Sequence, residues 1–450
     1  MRLSQPAYLR ASIEALMNSL HLIMPLHPEA QILNDLIDQE HPSLGKALSS
    51  FGRRVYAPKG IPFQAQQAAG CKVNATIGQI TDGKGQPLPL DRLAGLMKDL
   101  PQKDVFLYSP IQGRERCRTL WKNKLIAEDI RFSTLSLPGV SLGICHALAM
   151  ATDLFFERGD TLVVPDLYWD NYDQIFEVRH EARMVHYPFY DGTTFNIKGL
   201  KQVLDEVSGK VHVLLNFPNN PTGFSPTLNE IKQISDLLVS AAEKRIVVVY
   251  CDDAYHGLVF EPNATTQSLF FELIDRHPNL IALKADGVTK ELSFFGGRVG
   301  FLSLGFSGPV GQYLNEKICG LVRGSVGSPV GISQFLSEEE LLDPQHESSF
   351  QNLKSILEKR YRVLQAGLSQ GSPFWTPLPF NSGCFCLLQL KPGLEAEKVR
   401  QQLIKDESVG VVSHLDRYLR IAFCSMTEKD ISILLQALHR TCEKMEISRF

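Results

Sequence analysis

The chain reads as α/β: a large domain built on a mostly parallel sheet between helices, with a smaller α+β domain. Three observations carry that reading. Four short apolar runs, TLVV (161–164), VHVLL (211–215), RIVVVY (245–250) and LIAL (280–283), are rich in β-branched residues and have the continuous hydrophobicity of strands buried on both faces. Amphipathic stretches long enough for crossover helices separate them, which is the alternation that parallel pairing requires. At 450 residues the chain also exceeds what one hydrophobic core usually spans, so two domains are expected.

The bulk numbers exclude several partners. A composition of 44% hydrophobic and 21% charged residues is that of an ordinary globular protein, and a net charge of −3 removes the electrostatic case for nucleic acid. The apolar run at 15–26 is broken by Asn18, Ser19, His21 and Pro25, too short for a membrane span and without a cleavage pattern after it. Nine cysteines without paired spacing read as thiols in a reducing cytoplasm, where the sequons at Asn74 and Asn263 carry no meaning. Cys384 and Cys386 would share one face of a strand and read as packing. No Cys/His pair stands nearby to complete a metal shell, so no metal is expected.

Taken in order, residues 1–50 carry helical periodicity, with Leu9, Ile13, Leu16 and Leu20 and then a second set around Ile32, Leu33 and Leu36. No chemistry attaches to them. Residues 78–84 match GxxxxGK, the start of a phosphate loop, but Gly85 stands where a magnesium-binding Ser or Thr belongs. The following QPLPL cannot open the required helix, so a nucleotide site is rejected. YSPIQG (108–113) precedes a helix over 114–126. The helix beginning near Leu142, beside Gly139 and Gly143, offers unpaired first-turn amides and a positive dipole end, a seat for phosphate. PDLYWDNY follows the first apolar run. NFPNNPTG (216–223) ends the second, at a carboxyl edge where ligands of parallel sheets bind. DDAYHG (252–257) ends the third, and strand alternation turns its two acids to opposite faces. Residues 329–341 read as helical, and a long helix over 348–369 crosses to the smaller domain. There GCFCLLQL, VGVVS and RYLRIAFC are strands, 394–406 is a helix, and a last helix starts at Thr427.

The chemistry is concentrated in LKADGVTKELSFFGGRVG (283–300). Lys290 lies eight residues before Arg298. An aldehyde cofactor that carries a phosphate needs an amine to hold it as a Schiff base and a guanidinium to pair with the phosphate through two hydrogen bonds, so the stretch reads as an anchor for pyridoxal 5′-phosphate. Lys284 is the rival amine, but it sits fourteen residues before Arg298 and inside an apolar strand run.

The segments 216–223, 252–257 and 283–300, in this order and at these separations, resemble the class I/II aminotransferases, the fold-type I pyridoxal-phosphate enzymes, from about Val73 to Phe423. The resemblance implies a seven-stranded, mostly parallel sheet and a discontinuous small domain. Residues 1–90 would form an amino-terminal arm and part of the small domain, 91–342 the large cofactor-binding domain and 343–450 the rest. It implies Lys290, Asp252 and Tyr255 as the catalytic set. Asp252, three before Tyr255, would face the pyridine nitrogen, and Tyr255 would share the phenolate oxygen with Asn220. Gly143, Ile144 and Cys145 through backbone amides, with Thr289 and Arg298, would hold the phosphate, and Trp169 would lie flat on the ring. Tyr108 would reach the cofactor of a neighbouring subunit, which makes the protein a homodimer. Arg420, Asn220 and the backbone at Gly78 would receive the substrate. The implied activity moves an amino group between an amino acid and a 2-oxo acid by a ping-pong mechanism. One departure stands out: the family commonly places serine three before the lysine, and here that place is Gly287. A carbon–sulfur lyase, a decarboxylase or a synthase on the same scaffold would use the same Lys, Asp, Arg and Asn, so the motifs do not separate them. A regulator that uses the fold as a sensor would need a DNA-binding domain, and the first 70 residues are too short and insufficiently basic for one.

Overall fold

The structure, a computed structural model, describes residues 26–40, 42–57, 60–96 and 100–447. The expected periodic set Leu9, Ile13, Leu16 and Leu20 lies outside the described residues. The second set falls on the helix Pro28–Glu40, where Ile32, Leu33 and Leu36 are exposed.

The large sheet has seven strands: β1 (Gly139–Ser141), β2 (Thr161–Pro165), β3 (Arg183–Tyr187), β4 (Val211–Asn216), β5 (Val247–Asp252), β6 (Leu280–Gly287) and β7 (Gly300–Leu304). Their order is β1-β7-β6-β5-β4-β2-β3. The β3–β2–β4–β5–β6 block is parallel, while β7 runs antiparallel to β6 and β1. Every residue of β4 and β5 is buried, as expected of central strands with helices over both faces.

Register positions the site. Asn216 at the end of β4 pairs with Asp252 at the end of β5, which in turn pairs with Ala285 on β6, two residues before that strand ends, so the three lie side by side at the carboxyl edge of the sheet. Ligands of such sheets gather at that edge. The covering helices include α1 (Glu115–Glu128), α2 (Ile144–Phe155) and α3 (Leu228–Ala242), the last closed at its start by a capping box between Thr227 and Glu230.

The chain then runs through α4 (Gly331–Leu341) and the long α5 (His346–Ser369) to a second, antiparallel sheet. Its strands β8 (Trp375–Pro377), β9 (Phe385–Leu390), β10 (Val412–His414) and β11 (Tyr418–Ala422) lie in the order β8-β9-β11-β10, backed by α6 (Glu428–Ile447). Residues Val73–Asn74 pair in parallel with Val409–Gly410, which joins the amino-terminal part of the chain to the carboxy-terminal sheet.

Several boundaries differ from the sequence expectation, each for a local reason. The strand expected to stop at Leu283 continues to Gly287, because Lys284 and Asp286 are accommodated in the sheet as an ion pair. The run expected at 245–250 pairs over Val247–Asp252. The helix expected over 394–406 is α-helical only over Ala396–Gln402 and widens to a π-type turn at Leu403–Glu407. Strands β1, β3 and β7 carry no long apolar run; β3 is a partly exposed edge strand. Among the described residues no helix is long and apolar enough to cross a membrane.

Candidate active site

Lys290 lies on the one-turn helix Val288–Glu291 that follows β6, and its side chain lines a cavity of about 260 Å³ at the carboxyl edge of the large sheet. The same cavity gathers Gly78, Ile144, Cys145, Trp169, Asn220, Asp252, Tyr255, Thr289, Arg298 and Arg420. These come from seven separate stretches of sequence, brought together by strand register and by approach of the second sheet. Burial pushes the Lys290 amine below the usual lysine range, an effect that the carboxylate of Asp252 opposes only in part. Its nitrogen sits 4.7 Å from the centre of the Tyr255 ring. Lys284 is excluded from this role. It is wholly buried and ion-paired to Asp253 and, at 3.2 Å, to Asp286.

Asp252 is 2% exposed and faces the cavity, while its neighbour Asp253 accepts from Ser268 and Lys284 on the other side. Strand alternation separates the two acids as expected. The Asp252 carboxylate accepts from the Tyr172 hydroxyl at 2.6 Å and from the Ala254 amide at 3.1 Å. Burial raises its pKa, and the Tyr172 hydrogen bond is the first influence opposing that rise. The side-chain amide of Asn216 donates to the Asp252 carbonyl at 2.7 Å and its oxygen accepts from the Asn220 amide at 2.7 Å, so one residue locks both strand ends. Sequence reasoning missed Tyr172 and Asn216. The signal for Tyr172 was its place as the last aromatic of PDLYWDNY; Asn216 was hidden as the first letter of a turn motif.

Another part of the cavity wall is shaped for an anion. Gly143, at φ +77°, immediately precedes α2, whose first-turn amides have no carbonyl within the helix to donate to. A Cβ at Gly143 would lie 2.5 Å from the Arg298 guanidinium, so only glycine lets that cation press against the helix start. Gly287 is explained in the same way: a Cβ there would stand 2.6 Å from the Val299 carbonyl oxygen. The family serine does not fit this backbone, and Thr289, whose side chain lines the cavity, supplies the nearby hydroxyl.

Arg420 on β11 is 2% exposed. It donates to Asn220 Oδ1 at 3.0 Å and to the Thr76 carbonyl at 2.6 Å, and its Cζ lies 4.4 Å from the Phe385 ring centre. Its Nε has no partner. A buried guanidinium with an unused donor is poised for an anionic ligand. A Cβ at Gly78 would meet the Phe385 ring at 2.4 Å, which keeps that segment close. Trp169 lines the cavity edge-on to Tyr172, ring centres 5.6 Å apart. Tyr108 does not reach the cavity of its own chain; it is 97% exposed.

Residues 71–438 match the family described as Aminotransferase class I and II. The mitochondrial aspartate aminotransferase of Dictyostelium discoideum is 25% identical over 390 residues, 82% of this chain and 86% of that protein. The histidinol-phosphate aminotransferase of Prosthecochloris aestuarii is 32% identical over 145 residues, 32% of this chain and 36% of that protein. Among solved structures, an aminotransferase from Anaerococcus prevotii shares the fold at a TM-score of 0.75 and 20% identity, covering 86% of this chain and 97% of that one.

The chain belongs to the class I and II aminotransferases, enzymes that depend on pyridoxal phosphate. The residues present fit that cofactor: an amine held below its usual range, an anion seat with a guanidinium, and a buried acid all line one cavity. Among the described residues no group of three or more His, Cys, Asp or Glu could hold a metal ion.

Proposed function

We propose that the 260 Å³ cavity is the site of amino transfer, with roles divided among the residues as follows. When bound, pyridoxal phosphate supplies an aldehyde that takes up an amine and a ring that accepts the electron pair left at the substrate's α-carbon. Arg298, Thr289 and the amides of Gly143, Ile144 and Cys145 hold its phosphate. Asp252, kept in place by Tyr172, holds a proton on the pyridine nitrogen. Tyr255, whose phenol burial keeps protonated, donates with Asn220 to the ring oxygen. Trp169 covers one face from water. Arg420 pairs with the substrate carboxylate through two parallel hydrogen bonds and the backbone at Gly78 closes the other side. Lys290, whose amine burial holds below the usual lysine range, takes the α-proton and returns it as general base and acid.

The observation that supports this reading is that one cavity is lined by Lys290, Asp252, Arg298 and Arg420 together. Mixing the loaded enzyme with an amino acid and no oxo acid tests it. The reading expects the bound cofactor's absorbance to convert to the amine form, reversed by a second oxo acid as ping-pong kinetics require. Release of pyruvate, sulfide or carbon dioxide instead would place the protein with lyases or decarboxylases.

The preferred amino donor carries an uncharged side chain. Ile61, Phe295 and Phe385 supply an apolar wall suited to such a side chain. Leucine and phenylalanine should therefore convert faster than aspartate; the reverse order refutes this assignment.

The working form is a homodimer in the cytoplasm. Phe106, Leu107 and Tyr108 are 79%, 69% and 97% exposed, a contiguous apolar projection suited to insertion beside the partner's cavity. Sedimentation of wild type and Tyr108→Ala, with cofactor affinity of each, tests the dimer. The nine cysteines are all free, as suits a reducing compartment.

A further inference from the structure

Behind the reaction cavity lies a second and larger one, about 650 Å³, between the last turn of α1, the turn at Gly257, Glu291 and the first turns of α5. It touches residues adjacent in sequence to the reacting ones: His256 follows Tyr255, and Glu291 follows Lys290. Its polar wall is a chain of ion pairs. Lys124 bridges Glu128 at 2.7 Å and Glu291 at 2.6 Å, and His256 meets Glu128 at 2.7 Å. Deeper in, Lys284 joins Asp253 and Asp286.

The charges in this cluster do not balance. Four carboxylates, Asp253, Asp286, Glu128 and Glu291, face Lys124, Lys284 and His256, so even a charged imidazole leaves one negative charge over in the paired cluster; elsewhere on the wall Asp129 is paired with Arg131 and His346 with Glu340, and the charges of Glu347 and Lys354 offset each other. A buried carboxylate without a counter-charge is costly, and burial accordingly holds the Asp286 carboxyl above the usual carboxylate range. The open valence is at Glu291. This residue is 4% exposed, one of its oxygens is paired with Lys124, and the other, Oε1, has no partner while its side chain lines the cavity. A carboxylate oxygen can only accept, so its complement is a donor, and the charge excess selects a cationic one.

Three further features narrow the ligand. The cavity is far larger than a single ion, and no group of three or more chelating side chains is present among the described residues, which disfavours a metal. Phe271 and Phe350 give it an apolar wall suited to methylenes. At its mouth Glu347 on α5 supplies a second carboxylate. We propose that this groove is a second binding site, separate from the reaction cavity, for an aliphatic diamine, with one ammonium on the free oxygen of Glu291 and the other on Glu347.

The test uses full-length enzyme loaded with cofactor and reduced with borohydride, so that no aldehyde remains to react with an amine. Titration calorimetry with 1,4-diaminobutane should show saturable binding of one molecule per chain, and 1,4-butanediol, its uncharged counterpart, should show none. Glu291→Gln should weaken binding by about tenfold or more and Glu347→Gln by about threefold, the second reporting from an exposed position that leaves folding intact. The proposal is overturned if the diamine gives no saturable heat, if the diol binds equally, if magnesium binds there and displaces the diamine, or if Glu347→Gln and a folded Glu291→Gln both bind as wild type does.

Discussion

Tyr172 sets the ionisation of Asp252, and Tyr172→Phe isolates that effect. The substitution deletes one oxygen and leaves a ring of nearly the same volume in a wholly buried position, so packing against Phe176 and Trp169 is retained. What is lost is a 2.6 Å hydrogen bond to a carboxylate that is 2% exposed, with only the Ala254 amide left at 3.1 Å on the other oxygen. A hydrogen bond to a charged group contributes about 1.5–3 kcal/mol, which converts to roughly one to two pKa units. The direction follows from which form the bond favours. The hydroxyl stabilises the ionised carboxyl, so its loss raises the Asp252 pKa further above the value to which burial already lifts it. The acid limb of the half-reaction with an amino donor should therefore move up by about one to two units, and the rate on the acid side of that limb should fall by roughly tenfold to a hundredfold. Stopped-flow absorbance between about pH 5 and 9 reads both quantities, with circular dichroism and cofactor content as controls. An acid limb that stays in place while fold and cofactor content are intact would refute the claim that Tyr172 holds Asp252.

Arg420→Ala should raise the KM for amino donors by about a hundredfold, the loss expected when a buried, hydrogen-bonded charge pair is broken, and leave the dissociation constant of the cofactor unchanged; substrate titration and equilibrium dialysis distinguish the two. Gly287→Ser restores the residue common in the family yet should destabilise the protein by about 1–3 kcal/mol, because its Cβ would lie 2.6 Å from the Val299 carbonyl oxygen; urea unfolding measures it. Burial pushes the imidazole of His212 down to about 4, with the contact to Asp160 opposing. The unfolded chain takes up that proton near pH 6.5 and the folded one does not, so stability falls as pH drops from about 6.5 toward 4, by up to about 3 kcal/mol, and His212→Asn should flatten this part of the profile.

The parts of the site legible in the sequence were those whose chemistry sits in a local pattern. Lys290 and Arg298 stand on one short loop, Asn220 and Asp252 close strands whose apolar runs announce them, and Arg420 lies within a buried strand. What could not be read depends on contacts between distant stretches. Tyr172 matters because it meets a carboxylate 80 positions away, and its place as the last aromatic of PDLYWDNY does not by itself name that partner. Strand β7 was missed because it enters the sheet antiparallel beside a glycine-rich turn, and β3 because an edge strand needs no continuous apolar run. The meaning of Gly287 was likewise invisible: a missing serine reads as a lost contact, whereas the structure shows a close backbone approach from β7 that admits no side chain.

Lys284 and Lys290 show how environment and not residue type assigns the chemistry. They stand six positions apart, and burial acts on both amines in the same direction, favouring the neutral form. At Lys284 the carboxylates of Asp253 and Asp286 more than reverse that effect, so the amine is held charged and serves to tie β5 to β6. At Lys290 no carboxylate is close enough to form an ion pair; Asp252 acts only at longer range, and the amine stays lowered. A nucleophile must offer a lone pair, so the proposed reactive role falls to the unpaired lysine. The paired lysine contributes by holding the strand end that bears Asp252, since Asp253, the residue it grips, follows directly in the chain. Under the proposed roles, removal of the Lys284 charge acts on the reaction only through the placement of Asp252, whereas removal of Lys290 takes away the amine assigned to react.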